Sequence, residues 1–574
     1  MSQRIPFWTP YAKLAKVQLT PLLTRSAGRI KFNGRISAFH PASPSFKFGE
    51  SSGTEDLLKG QFSYCGQKLD VGLQGDPWTV AVPSIEFATW LHGFEWLPDL
   101  LSSKNGAGHT RAVNYVDSWI ITYGKWNDFS WQANILAQRL FNWLALWSPA
   151  LADSDDNPVG RRRRGSVYRQ LKALKANYKH TQPGLDRLRA GAALAMGGAK
   201  LAERAEGFLA RGLDLLDVEI EQQILPDGGH VSRSPAQSLE ALKILLVLDT
   251  LLQDRGVEGS RLMSRAIDRL TPMVAFFRHT DGTFASFHGS GEGHKLFIDG
   301  LLKAAPSDPK PFGYCPHTGY QRIARGDTIL LVDTGSAPVR PYDLQTHMAP
   351  LAFELSTSAG RMIVNCGWNP KQPSLWKRPV RAAVAHSTLI LDNRSPGRLL
   401  PKGWKTKAMG PAVLNAAGPV KATRKEQDSG VWLEASHDGY RSDYGLAHRR
   451  RFFVSVDGND IRGEDSLYVP LGAQPIRRDE IPFDIRFHFH PNVRVSLSQD
   501  QQSALLVIGG KSGWRFRTDG GPIRLEPSVY LGAGGTPIKT QQLVISGKAY
   551  GDGDGASRSN RLRWSLRELK NRTQ

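Results

Sequence analysis

Cysteine is scarce. Three residues, Cys65, Cys315 and Cys366, are scattered through 574. No CxxC pair exists, which argues against a thiolate zinc site, and an odd, small count does not suggest a disulfide framework. No run of eighteen apolar residues occurs, so no segment reads as a membrane span. The opening stretch, MSQRIPFWTPYAKLAKVQLTPLLTRS, lacks an apolar core of signal-peptide length, which makes the cytoplasm the expected location. No GxGxxG or GxxxxGK[ST] stands in a strand–turn–helix context, and no GxSxG has a suitable setting, so nucleotide binding and α/β-type serine hydrolysis are disfavoured. Acidic residues are also in deficit: 53 Asp plus Glu against 74 Lys plus Arg, a net charge of +21. Such a field attracts polyanions, whether nucleic acid, anionic lipid or acidic polysaccharide, without choosing among them. No nucleic-acid motif accompanies the charge.

What is present is globular: 40% hydrophobic and 22% charged residues, over a length that calls for at least two domains. Fifteen tryptophans and fourteen tyrosines belong chiefly to cores, although sugar rings also stack on such faces. Residues 1–83 read as an irregular N-terminal arm with a few short strands. From 84 to 300 apolar residues recur at three-to-four spacing, as in IEFATWLHGFEWLPDL and ANILAQRLFNWLALW, which predicts successive amphipathic helices joined by short turns. Their number suits a helical toroid of hairpins. GRRRRG, Arg161 to Arg164, reads as a solvated loop in preference to a polyanion site. From 301 to 574 the texture becomes short alternating β-branched and aromatic runs such as TILLVDTG, LAFELS and RRFFVSVDG. That pattern predicts a large antiparallel β-sandwich. The expected fold is therefore an N-terminal α/α-toroid followed by a β-sandwich, with a binding groove between them.

Chemistry-bearing residues fall in a few places. DGGHVSRSP, Asp227 to Pro235, joins two toroid helices. Asp227, Gly228 and Gly229 read as a tight turn, with Ser234 as helix cap and Pro235 at the first helical position. In the same stretch His230 is a candidate for proton transfer and Arg233 for holding a carboxylate. His347 and His386 each stand where a loop enters a strand and Asn365 ends the strand between them, a set that could hold zinc. FHFHP places His488 and His490 two apart on one strand face, for substrate or metal. HDGY offers His437 for substrate and Tyr440 as an acid. Arg139 and Trp143 are further candidate substrate contacts on a toroid helix. Hydrogen-bonding histidines buried in a core are the competing reading throughout. Glycoside hydrolysis needs two facing carboxylates, for which Asp227 and Glu292 are the available pair.

EQQILPDGGHVSRSP, FFRHTDGTFASFHG, LAFELSTSAGRMIVNCG, AAVAHSTLILDN, HDGY and RFHFHPNVRV occur in the order seen in the heparinase II/III-like family, which the chain resembles over roughly residues 85–550. The resemblance implies a toroid joined to a β-sandwich and a lyase that cleaves uronic-acid polysaccharides by β-elimination. It implies a zinc site at His347, Asn365 and His386, with Asn365 where the family has an acidic residue. The family's catalytic histidine falls on Gln345. Its catalytic tyrosine falls near Ala236, Gln237 and Ser238, where no tyrosine stands. The family's habit of export makes the periplasm an alternative location. Two functions follow: a lyase using His230, Arg233, Tyr440 and Gln345 on an acidic glycan, or a non-catalytic acidic-glycan-binding or envelope-assembly protein on the same scaffold.

Overall fold

The computed structural model describes residues 53–103, 106–146, 157–201, 207–414, 416–473, 476, 479–550 and 560–569. Within that span the two expected halves are present. A helical half runs from Thr54–Leu58 to Lys295–Ala304, and a sheet half from Tyr314–Cys315 to Arg561–Leu569. Residues 1–52 of the expected arm lie outside the described residues. The remainder of the arm folds onto the helices. A hairpin pairs Gln61–Tyr64 with Gln67–Asp70, and its Phe62 is buried edge-on against Trp96 at 5.4 Å.

The helices begin where polar residues can satisfy free N–H groups. Ser84 accepts from Phe87 N, Ser260 from Met263 N, and Asn157 from Val159 N ahead of Pro158. Helices Leu185–Lys200 and Phe208–Gln223 approach backbone to backbone. A β-carbon on Gly212 would stand 2.3 Å from Ala195 N, and one on Gly198 would stand 2.3 Å from Leu209 N. The small-residue run AGAALAMGGAK is thus a packing surface. The arginine run is not a loop. Arg161 to Arg164 lie inside helix Pro158–Asn177, and Arg163 is buried and bidentate to Asp117 at 2.7 and 2.6 Å. The run carries the helix through because arginine is a good helix former, and Arg163 and Arg164 turn inward.

The sheet half is a sandwich. A nine-stranded antiparallel sheet is ordered Arg524–Tyr530, Ile538–Tyr550, Glu480–Phe489, Gly360–Val364, Phe353–Thr357, Thr328–Asp333, Tyr320–Arg325, Tyr314–Cys315, with Leu389–Leu391 paired beside Glu480–Phe489. An eight-stranded sheet is ordered Lys421–Gln427, Gly430–His437, Ala447–Ser455, Asp460–Tyr468, Arg561–Leu569, Ser512–Thr518, Ser503–Ile508, Val493–Leu497. Alternation along each strand sorts side chains to opposite faces. Ile323, Leu330 and Val332 point into the sandwich core with Phe353, Phe487 and Trp564. Tyr320 and Leu331, one residue out of step with them, join the hydrophobic core of the helices. The molecule is therefore layered: helices, nine-stranded sheet, eight-stranded sheet, then solvent.

A candidate site at the helix–sheet seam

The turn Asp227–Gly229 forms as expected and also reaches across the seam. Gly228 has φ 89 and sits against Arg269 O, where a β-carbon would be only 2.1 Å away. The Asp227 carboxylate accepts from His317 N at 2.8 Å, Thr318 N at 2.7 Å and Thr318 Oγ1 at 2.6 Å, so it grips the first loop of the sheet half. Pro235 takes the first helical position, but Ser234 makes no side-chain cap. Ser290, from the loop between helices Arg261–Phe276 and Lys295–Ala304, accepts from Ala236 N at 2.8 Å in its place. Ser234 is turned instead toward Ser290 Oγ, 3.1 Å away.

His230 is fully buried. Its Nε2 donates to Gln223 Oε1 at 3.0 Å and its Nδ1 accepts from Ser232 N at 3.1 Å, with Ser232 Oγ 2.7 Å away. Burial pushes it down to about 3, so it stays neutral with its lone pair engaged. The geometry corrects its reading as a base: it is a clasp on the turn.

Arg233 also has its charge engaged. It pairs with Asp333 and donates to Thr318 O at 2.7 Å, Ser336 O at 3.0 Å and Gly319 O at 3.0 Å. Asp333 ends strand Thr328–Asp333 and accepts from His288 Nε2 at 3.0 Å. Burial opposes its charge, but Arg233 and His288 hold it down at about 2. Arg233 and His288 both adopt left-handed backbone, φ 62 and φ 44, a costly conformation for such side chains that the network holds in place. Neither Asp333 nor His288 stands out in sequence. Asp333 ends an apolar strand and His288 is one histidine in FASFHG, so only their meeting at the seam marks them.

His347 and His386 are brought together, with ring centroids 4.4 Å apart. Asn365 takes a different partner. Its amide donates to Glu354 Oε1 at 3.1 Å and its oxygen accepts from Ser387 N at 3.0 Å. His347 presents its two ring nitrogens to His288 N at 3.1 Å and Gly289 N at 2.9 Å. His386 donates from Nε2 to Val380 O at 2.9 Å, leaving Nδ1 as a buried atom without a partner among the described residues. One free imidazole nitrogen is not a zinc site, and among the described residues no group of three His, Cys, Asp or Glu side chains is placed to hold a metal. The donors do not fit zinc.

The other candidates lie away from the mouth. Arg139 and Trp143 are interior to the helices. Arg139 donates to Gln170 Oε1 at 2.7 Å and to the carbonyls of His92 and Ser130, and its guanidinium lies 4.0 Å over the Trp119 ring. Tyr440 is in the sandwich core, its hydroxyl 3.2 and 3.3 Å from Leu389 O and Arg394 O and accepting from Leu391 N. His437 ends a buried relay with His448 Nδ1 3.2 Å away and His448 Nε2 donating to Asp465 at 2.8 Å. His488 lies 2.7 Å from Ser528 Oγ and donates to Val384 O at 3.0 Å. His490 and Tyr530 both bind Glu292, at 3.1 and 2.8 Å, across the seam. Arg139, Trp143, Tyr440, His437 and His488 are thus corrected to structural groups, because burial removes them from any ligand. Asp227 and Glu292 have their carboxylates engaged by protein donors in the same way.

Three neutral side chains stand half-buried at the mouth of the seam, near the part-exposed Arg187. Gln345 and Gln237 are half-buried and meet at 3.4 Å. Tyr342, also half-buried, stands edge-on to His230 at 6.3 Å and beside Gly184. Its hydroxyl is held above the ordinary range by burial and by Glu219, the partner of Arg187 at 3.6 Å. Sequence reading passed over Tyr342 because it lies in an irregular loop, RPYDLQTH, with no periodicity to mark it.

Residues 307–565 match the family profile "Heparinase II/III-like, C-terminal". The FtsZ-localized protein C of Caulobacter vibrioides is 33% identical over 517 residues, 89% of this chain and 87% of that one. Among solved structures, heparinase III superposes with TM-score 0.66 at 13% identity, covering 99% of this chain and 93% of that chain. A heparan sulfate lyase of Pedobacter heparinus superposes with TM-score 0.58 at 12% identity, covering 99% and 92%. These likenesses fix the toroid-plus-sandwich architecture of polysaccharide lyases. With an ordered set of motifs, a matching profile and a relative aligned over most of its length, the chain belongs to the heparinase II/III-like family.

Proposed function

We propose that this chain is an envelope-assembly protein that uses the lyase scaffold to bind an acidic glycan without cleaving it. One observation carries this reading: the seam's proton-transfer groups are engaged by protein partners. His230 and His288 have both ring nitrogens occupied, and Tyr440 is sealed in the sandwich. Gln345 cannot exchange protons at neutral pH. A glycan at the mouth would meet hydrogen-bonding amides and an aromatic ring, a lining suited to binding sugars. Its relative in Caulobacter is named for localization with FtsZ, which supports the same localization for this chain. The test is to incubate the purified protein with a panel of uronate polysaccharides while following binding and ultraviolet absorbance. The expected result is saturable binding without absorbance from unsaturated ends; a steady rise in absorbance on any substrate defeats the reading. A fluorescent fusion should co-localize with FtsZ.

A second reading, β-elimination, is favoured by Tyr342. Its hydroxyl has no protein partner among the described residues and stands at the mouth near Arg187. In that reading a polar donor set quiets the uronate carboxylate, a base removes the C5 proton, the C4–oxygen bond breaks as a C4–C5 double bond forms, and a proton passes to the departing glycosidic oxygen. Tyr342 would carry that proton. If absorbance does rise, Tyr342→Phe should reduce the rate about a hundredfold or more with KM little changed.

A further inference from the structure

Beside the mouth the helical half holds a polar recess whose charges do not balance. Helices Ala133–Ala145, Leu185–Lys200 and Pro235–Asp254 pack against one another. The last of them carries Gln237 at the mouth, then Glu240 and Lys243 within the next two turns. Leu185–Lys200 adds Asp186 and Arg189. Arg189 binds Asp186 at 3.1 Å and Glu240 at 2.9 Å, and Lys243 binds Glu240 at 2.5 Å. Both cations are thereby engaged. A third carboxylate, Glu95, feels the charges of all four. Among the described residues, three acidic groups thus stand there with two basic ones.

Glu95 follows helix Ile85–His92, and its amide N donates to Trp90 O at 3.4 Å. Its carboxylate has no ion pair and no hydrogen bond among the described residues. Gly93 leaves room beside it. A β-carbon there would stand 3.0 Å from Gln138 Cγ and 3.5 Å from Glu95 Oε1. Solvent reaches Glu95, yet protein crowds it enough that burial raises its carboxyl to about 7, with Arg189 as the main opposing influence. The hairpin of Gln61–Tyr64 and Gln67–Asp70 stands on the other side. At its tip Gly66 N donates to Lys371 O at 2.8 Å, which ties the hairpin to the sheet half. Tyr64 and Trp90 stack in parallel with ring centroids 5.1 Å apart, both rings half-buried. Burial, and then the charge of Glu95, raise the Tyr64 hydroxyl, and burial raises the Cys65 thiol, so both stay neutral beside Glu95.

We infer that this recess is a subsite for an amino sugar whose free amine, carried as an ammonium, supplies the missing positive charge at Glu95. The inference rests on the reading of the mouth as a glycan-binding site and names one sugar of that glycan. A crowded carboxylate without a counter-charge is unfavourable for the fold, and such groups gather where a ligand completes them. An ammonium offers three N–H donors and needs no acceptor of its own, which suits a carboxylate with both oxygens free. The Tyr64–Trp90 pair beside it suits the apolar face of a sugar ring and the cation that the ring carries. Acetylation of the amine removes the charge and leaves Glu95 unpaired.

The experiment is calorimetric titration of the full chain with a β-linked glucosamine tetramer, its fully N-acetylated counterpart and putrescine. The wild type should bind the free-amine tetramer at least about tenfold tighter than the acetylated one, as a charge-assisted hydrogen bond implies. Its affinity should fall as pH is lowered from 7 to 5, because Glu95 then takes up a proton. Glu95→Gln should bind both tetramers alike. Its melting temperature at pH 8 should equal or exceed that of the wild type, because a crowded, unpaired charge has been removed. Equal affinity of the wild type for both tetramers overturns the inference, as does undiminished preference in Glu95→Gln. A lower melting temperature of that variant also overturns it, since Glu95 would then be holding the fold. Putrescine bound as tightly as the tetramer overturns the assignment to a sugar. Uronate polysaccharides that bind while the free amine confers no preference overturn this inference and leave the proposed function standing. Preference for the free amine without uronate binding does the reverse.

Discussion

Arginine does opposite things at the two surfaces of the nine- and eight-stranded sandwich. At the seam Arg233 is buried, paired with Asp333 and bonded to three carbonyls. On the outer face Arg515 and Arg517 are exposed to solvent, and among the described residues no carboxylate forms an ion pair with either. The residue type is the same, and its surroundings decide the role. In low dielectric a guanidinium without a counter-charge is very costly, so the seam supplies one and becomes a fixed joint. In water the same group keeps its hydration and its long-range field, and remains available to a partner. The comparison also explains why the motif stretch Asp227–Pro235 is so distinctive in sequence: it joins two domains, and its polar residues are committed to that joint.

The sharpest way to break the contrast is Asp333→Asn. It leaves the Arg233 guanidinium buried without its counter-charge and should cost about 3–5 kcal/mol, read as a large fall in melting temperature. A loss close to that of an exposed pair would mean that the seam is as wet as the outer face. Acid should act on the seam next. His230 at about 3, His386 at about 4 and His488 at about 3 are all held below their unfolded value of 6.5 by burial. Their neutral forms stabilise the fold fully above pH 6.5, and that contribution is lost as pH falls from 6.5 toward 3. Asp333 and Asp465, both held at about 2, add a further loss as pH drops below their unfolded value of 3.8. Denaturant melts from pH 8 to pH 3 should show stability falling steadily from about pH 6.5; a flat profile down to pH 5 would show these histidines to be wet.

Tyr440→Phe tests a smaller, buried contribution. Its hydroxyl serves backbone groups of residues 389–394, so the change should cost about 1–2 kcal/mol and leave glycan binding as it was. A loss of binding with stability intact would return Tyr440 to the mouth. Elemental analysis of the purified protein should find zinc well below one per chain; a stoichiometric amount would mean that Asn365 releases Glu354. Smallest of all, Trp432→Ala on the outer face should change stability by no more than about 0.5 kcal/mol, because Trp432 is largely exposed and leans on the Phe453 ring at the surface.

Much of the architecture is legible in the chain. The change from three-to-four periodicity to alternation near residue 300 separates helices from sheets, since the two repeats cannot serve one geometry. Pro235 and the Asp227–Gly229 turn follow from local stereochemistry. The arginine run misled because loop and helix share that composition, and its helical state is decided by the inward partner Asp117, forty-six residues upstream. Site residues were legible in part. His347 and His386 do meet, as their ordered motifs implied, but Asn365 faces Glu354, and nothing near Asn365 in sequence discloses that carboxylate.

Sequence by itself determined the elements, their order, the family and the excess of positive charge. Those depend on contacts a few residues apart or on sums over the chain. Only the tertiary structure decided which charges are buried and which are free. A buried carboxylate such as Asp333 changes the meaning of Arg233 a hundred residues away, and strand register alone gathers the arginines of five separate strands onto one face. Both are consequences of long-range packing, where the partner of a residue is set by how the layers stack.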